Sequence, residues 1–255
     1  PLPFAQEQIQ DKLRDICLTV DPKDWFDLKK PIVNNIFIDL PPKARVKYRE
    51  MEREMFTQLE GRDVEAFNAA ARTQKCLQIA NGAAYVDPLA DNDQHRKAKE
   101  WRLVHDEKLD ALEDVIEEAA GMPVLVAYEF RSDLARIKAR FKEAADLSTT
   151  DGLRRFKEGK VLVGCAHPAS MGHGIDGLQY VTNIACFFGH NWNLEYYQQI
   201  IERIGPMRQL QAGLDRAVFL HHIIARDTVD EDVMLRRETK KGVQDILLDA
   251  MKRRR

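Results

Sequence analysis

Apolar and polar residues change period several times along the chain, and each change marks an element. Ala5 to Ile16 carries a helical pattern, and a looser tract from Asp21 to Pro31 holds Trp25 and Phe26, which are expected to pin it to the body. Asn34 to Leu40 reads as a strand closed by Pro41-Pro42, since proline removes a ladder donor. A helix is predicted from Ala44 to Leu59 on the stripe Val46, Tyr48, Met51, Met55, Phe56 and Leu59. A second is predicted from Val64 to Ala80, with Gly82 as its C-terminal cap. Residues 83 to 104 are polar and patternless, and read as a loop.

From His105 onward the alternation is regular. Leu109, Leu112, Val115, Ile116 and Ala119 define a helix ending at Gly121. The apolar run Pro123 to Tyr128 is a strand, followed by a helix capped at Ser132 or Asp133. A short helix over Thr149 to Gly159 precedes a third apolar strand, Lys160 to Cys165. Ile184 to Phe188 is apolar throughout and reads as a buried strand closed by Gly189. Arg216 to Ala225 is a further strand, on which the adjacent His221 and His222 point to opposite faces and so cannot share one metal. Thr228 and Glu231 form a capping box that opens a last helix running to Met251. Strands alternating with helices from residue 122 argue for an α/β fold, a parallel sheet flanked by helices.

Composition narrows the class. A chain of 255 residues, 44% hydrophobic and 31% charged, can bury a full core. The net charge of −2 provides no global basic field, so any nucleic-acid contact must be a local patch and weak on its own. Cys17, Cys76, Cys165 and Cys186 form no C-x-x-C pair and read as buried thiols of a cytoplasmic protein, with no metal site. No apolar run is long enough to span a bilayer, so no membrane partner is expected.

The chemistry concentrates between His167 and Gln211. Gly172, Gly174 and Gly177 make a loop in which backbone can approach a ligand closely. The strand at Ile184 follows, then one short helix bearing Gln199, Arg203 and Arg208, with Gln199 and Arg203 on a single face. A glutamine and two arginines beside a sheet suit a polyphosphate, because the guanidinium is a planar fork of donors with a permanent charge. Loops at the carboxyl ends of parallel strands are where such ligands bind.

These segments resemble motifs V and VI of the superfamily-two helicases in their Swi/Snf-like form. Gly172, Gly174 and Asp176 match the family's G-x-G-x-N/D loop. Gln199 and Arg203 match the opening of Q-x-x-x-R-x-x-R-x-G-Q, and Arg208-Gln209 resembles its close, with an insertion around Gly205-Pro206. Lys75 to Gly82 is similar to the family's K-L-x-Q-I-x-N/S-G segment, Lys108-Leu109 to its K-L before motif IV, and the strand and helix from Pro123 to motif IV itself. The resemblance implies a second RecA-like lobe over residues 34–255, with a protruding helical insertion at about 43–104 and residues 1–33 linking it to a first lobe. It implies an ATP-dependent helicase or translocase of phage type. Arg203 and Arg208 would act as arginine fingers and Gln199 would position nucleotide or water. Gly172, Gly174 and Asp176 would meet nucleotide, while Tyr128, Arg131, Ser132, Ser170 and His173 would meet nucleic acid. Its partners would be the N-terminal lobe and DNA, double-stranded rather than single-stranded.

No G-x-x-x-x-G-K-[ST] string occurs, nor a D-E-x-H or D-E-A-D box. The nearest imitators, His105-Asp106-Glu107 and Asp230-Glu231-Asp232, fall at helix starts and read as caps. ATP and Mg are therefore expected to be held mainly by a first lobe preceding Pro1, and a chain opening P-L-P-F without methionine is expected to be a fragment. The competing reading is a non-catalytic module that binds nucleic acid or protein on a degenerate lobe. A dinucleotide enzyme is disfavoured, since no acidic residue closes the strand that follows the glycines; Cys186 and Phe187 stand near its end instead.

Overall fold

The computed structural model describes residues 28–59, 73–85, 100–171 and 175–254. The expectations for Ala5–Ile16, Trp25, Phe26, Cys17 and the start of the second helix lie outside these residues. In chain order the elements are β1 (Ile32–Ile38), α1 (Pro42–Leu59), α2 (Gln74–Asn81), β2 (Ala83–Tyr85), β3 (Trp101–Leu103), α3 (Glu107–Glu118), β4 (Val124–Ala127), α4 (Arg131–Arg140), β5 (Ala145–Asp146), α5 (Thr150–Lys157), β6 (Val163–Ala166), a 3-10 turn (Pro168–Ser170), α6 (Leu178–Val181), β7 (Ile184–Phe187), α7 (Leu194–Ile204), α8 (Pro206–Gln211), β8 (Phe219–Ala225), α9 (Val229–Thr239) and α10 (Val243–Arg254).

Six strands form one sheet in the order β1-β8-β7-β4-β6-β5, and every pairing in it is parallel. The sheet is covered on both faces, which is why β4, β6 and β7 are apolar without alternation. Leu125, Ala127, Ala185, Phe187 and Leu220 face one apolar layer with Met171, Leu178, Ile200 and Ile204. Val124, Val126, Ile184, Cys186 and Ile223 face the other, with Leu109, Leu112, Val115 and Ile137. Burial pushes the Cys165 and Cys186 thiols up to about 12, so they are inert apolar residues here.

Several expectations change in detail. The loop read at residues 83–104 contains an antiparallel pair, β2 with β3, joining Ala83 to Leu103 and Tyr85 to Trp101. The helix read across Gln199 to Arg208 is two, because Gly205 is extended (φ −63, ψ 170) and Pro206 starts α8. The last helix also breaks, at Lys240 with φ 56. The cap of α4 is Phe130; Asp133 sits one turn in and its carboxylate accepts the Phe130 N–H at 2.9 Å. Gly82 does cap α2, at φ 100, where a side chain would be strained and would also strike the His105 carbonyl.

The helices expected to protrude are packed where they are described. Tyr48 and Met55 of α1 and Cys76, Leu77 and Ile79 of α2 share a third apolar cluster with Trp192, Val233, Ile246 and Leu247. Trp192 Nε1 donates to Thr73 Oγ1 at 2.7 Å, and the Tyr48 hydroxyl accepts the Val229 N–H at 2.7 Å. These bonds tie α1 and α2 to the loop after β7 and to the start of α9.

Candidate functional site

Parallel strands bring their following loops to one edge, and there the segments after β4, β6 and β7 meet. Gly189 makes the approach possible: a Cβ there would lie 2.9 Å from the Glu129 backbone nitrogen and from the Asn81 amide. Phe188 and Gly189 both donate to the Ala127 carbonyl, at 2.9 and 3.2 Å. Asn193 then caps α7, its Oδ1 accepting from the Glu195 and Tyr196 N–H groups.

Two of the expected arginines contact the loop after β6 at described residues before and after 172–174. Arg203 Nε donates to the Met171 carbonyl at 2.9 Å. Arg208 lies 3.5 Å from the Asp176 carboxylate, with side chains 38% and 70% exposed, so this pair is screened and weak. Gln199 donates to Glu195 at 3.3 Å, while its own Oε1 is buried and finds no hydrogen bond among the described residues. Gly172, His173 and Gly174 lie outside the described residues. Gln209, paired with Arg208 in the sequence pattern, has another fate. It is buried, donates to the Thr182 and Ile204 carbonyls at 3.1 and 2.9 Å, and accepts from Arg216 at 2.9 Å.

The expected nucleic-acid residues divide. Arg131 is exposed at the start of α4, and Ser170 is exposed with its Oγ donating to the His167 carbonyl at 2.7 Å. Tyr128 is mostly buried, and burial pushes its hydroxyl up to about 12. Ser132 departs from expectation: it is 1% exposed, and its main-chain N–H donates to the Tyr85 hydroxyl, which ties the start of α4 to the β2–β3 pair. His167 escaped the sequence reading. Its ring meets Tyr128 edge-on at 5.6 Å and its Nδ1 accepts the Ala169 N–H, so it bridges the ends of β4 and β6. Its place directly after an apolar strand was the available signal.

Beneath the edge lies a buried polar network that joins Lys108 and Asn81, both inside segments matched to the family pattern, with partners that the pattern did not indicate. Lys108 Nζ is 2.6 Å from Asp230 Oδ2, both side chains fully buried, and also donates to Asn81 Oδ1 at 2.8 Å and the Phe188 carbonyl at 3.2 Å. Asn81 donates to Asp133 at 2.9 Å. Arg136 donates to the Asn81 and His105 carbonyls, both at 2.6 Å, and to Asp106 at 2.9 Å. Asp106 and Asp230 do stand at helix starts, as expected, and they are also the ion-pair partners of Arg136 and Lys108 respectively. The network locks α2, α3, α4 and α9 to the ends of β4 and β7.

Glu129, also at this edge, has its carboxyl pushed up from 4.5 to about 7, because burial outweighs the 2.7 Å bond from Asn191. The folded chain keeps this proton in a range where the unfolded chain has lost it. Its contribution is therefore complete below about 4.5 and fades as pH rises through about 7. Glu129→Gln cannot lose a proton. It is expected to exceed wild type in stability at pH 8 by on the order of 2 kcal/mol, and to match it near pH 4.5. Urea melts at the two pH values check this, and an equal gap at both would show that ionisation is not the cause.

Among the described residues, no group of three or more His, Cys, Asp or Glu side chains is placed to hold a metal ion. Nor is any described helix long and apolar enough to cross a membrane.

No model of a known protein family matches the sequence. The chain is 50% identical over 255 residues to p41 of Acyrthosiphon pisum secondary endosymbiont phage 1. That alignment covers all of the chain but 53% of p41, so the chain spans about half the length of this curated relative. In structure it is similar to the C-terminal part of the Fun30 ATPase domain, with TM-score 0.59 and 12% identity over 89% of this chain and 99% of that one. It is also similar to the Sulfolobus solfataricus SWI2/SNF2 ATPase core solved with dsDNA, with TM-score 0.57 and 18% identity over 93% of this chain and 50% of that one. With its parallel six-stranded sheet, the chain has a RecA-like α/β fold, similar to that of these two ATPase structures.

Proposed function

We propose that the chain is the second lobe of an ATP-dependent DNA translocase or helicase. The observation that supports this reading is that two arginines of consecutive helices contact one carboxyl-edge loop, Arg203 at Met171 and Arg208 at Asp176. Catalysis of phosphoryl transfer is mostly positioning and charge stabilisation, and arginines held beside a phosphate do both. Arg203 and Arg208 would meet the γ-phosphate. Gln199, with a buried and unsatisfied Oε1, would orient nucleotide or water. Gly172 and Gly174 would offer main-chain N–H groups to phosphate. ATP supplies the phosphoryl group when bound. The described residues include no carboxylate cluster for Mg, so the metal would be held by a first lobe. Arg131, Ser170, His173 and the Tyr128 edge would face the phosphates of double-stranded DNA, as suits a fold shared with an ATPase core solved with dsDNA.

The chain purified alone is expected to fold and to show no DNA-stimulated ATP hydrolysis, because no string in it can cradle the β- and γ-phosphates. A protein joining it to a first lobe is expected to hydrolyse ATP. Turnover by the isolated chain, lost on Arg203→Ala, would overturn the half-site reading. A joined protein that binds DNA but never hydrolyses ATP would favour the non-catalytic module.

A further inference from the structure

Arg237 stands near the end of α9, on the sheet face that carries Phe187 and Leu220. Its guanidinium carbon lies 4.2 Å from the Tyr197 ring centroid and 5.4 Å from that of Phe187. Phe187 is stacked in turn on His222 at 4.9 Å, and His222 Nε2 lies 3.2 Å from the Tyr197 hydroxyl. The rings form a fixed aromatic shelf under a cation. What the cation lacks is an anion. Among the described residues its guanidinium donates to the Met234 sulfur at 3.4 Å, a weak acceptor. Its Nε is buried and makes no hydrogen bond, and no carboxylate among the described residues lies within ion-pair distance.

The contrast with Arg136 is instructive. That buried arginine meets two carbonyls and a carboxylate. A desolvated guanidinium without such partners is costly, and removing it is commonly stabilising. The acidic groups that couple to Arg237 are Tyr197, Asp230 and Glu129; both carboxylates are engaged elsewhere, Asp230 by Lys108 and Glu129 by Asn191. Burial depresses Arg237 to about 10, so it remains charged at neutral pH. The arginine thus waits, charged and rigidly backed, close to the carboxyl edge where parallel sheets take their ligands.

We propose that Arg237, backed by Tyr197 and Phe187, is an anion-binding position that takes a phosphate oxyanion. This site goes beyond the arginines of α7 and α8, and its test needs no ATP hydrolysis, so the two readings fail separately. The phosphate could belong to a nucleotide or to a polynucleotide backbone, and separate titrations decide which.

The 255-residue chain is titrated with pyrophosphate, with ADP and with a short DNA duplex. Binding is followed by calorimetry and by the Arg237 Nε–H resonance, assigned by its loss in Arg237→Lys. At least one of the three is expected to shift that resonance. Arg237→Met is expected to weaken binding of that anion about tenfold, the worth of a charge-assisted hydrogen bond. The same variant is expected to melt at or above the wild-type temperature, which a merely structural arginine would not do. A shift with pyrophosphate or ADP places the source in nucleotide; a shift with the duplex alone places it in the backbone. A resonance unmoved by all three, or undiminished binding in Arg237→Met, overturns the proposal. Should that variant fold poorly, the wild-type resonance alone still decides.

Discussion

On the proposed reading, replacing Arg203 with alanine in a protein that joins this chain to a first lobe is expected to lower kcat for ATP by about 10³-fold or more, the scale of an arginine finger. Affinity for nucleotide is expected to change far less, since the charge matters most in the transition state. The reason is geometric. The Nε bond to the Met171 carbonyl fixes the direction of the guanidinium at the mouth of the loop after β6. Arg203→Lys keeps the charge but loses the fork, and should recover only part of the rate. Arg208→Ala is expected to cost less, since that side chain is bound loosely to an exposed Asp176. Steady-state assays with saturating DNA separate kcat from KM. Wild-type turnover in Arg203→Ala would remove α7 from the catalytic reading.

The second large effect is on stability. Lys108→Met leaves Asp230 buried without its cation, and is expected to destabilise the fold by about 3–5 kcal/mol. Both side chains are fully buried 2.6 Å apart, so solvent cannot compensate. The double variant Lys108→Met with Asp230→Leu should recover much of the loss, because two apolar groups need no partner. It will not recover all of it: Asp230 also accepts the Ala225 N–H, and Lys108 serves Asn81 and the Phe188 carbonyl. Urea unfolding of the three chains measures the coupling. A Lys108→Met chain within 1 kcal/mol of wild type would mean the pair is not the anchor its geometry indicates.

Much of the fold was legible. The runs at Val124, Val163 and Ile184 are buried on both faces, so an unbroken apolar pattern was their signature. The opposed faces of His221 and His222 followed from strand pairing of period two: His222 stacks on Phe187 and His221 lies on the side of Ile223. Gly82 marked a helix end because only glycine tolerates φ 100 beside the His105 carbonyl. What escaped was short or remote. Ala145–Asp146 is too brief an edge strand to show a period, and β2 pairs with β3 across a tract whose polarity said only loop.

At the site, the sequence by itself determined which residue types could meet phosphate and the order of strand, glycine loop and arginine helix. Those depend on local spacing and on side-chain chemistry. Tertiary structure decided the rest. It set Arg203 on Met171, sank Gln209 and Ser132 inward, and brought His167 against Tyr128. It joined Lys108 to Asp230, which reading along the chain had separated into a helix residue and a cap. It also left Arg237 on an aromatic shelf, with the carboxylates that couple to it, Asp230 and Glu129, engaged by other residues. Each of these turns on which side chains the sheet order places together, β7 between β4 and β8, and that order is a property of packing rather than of any local pattern.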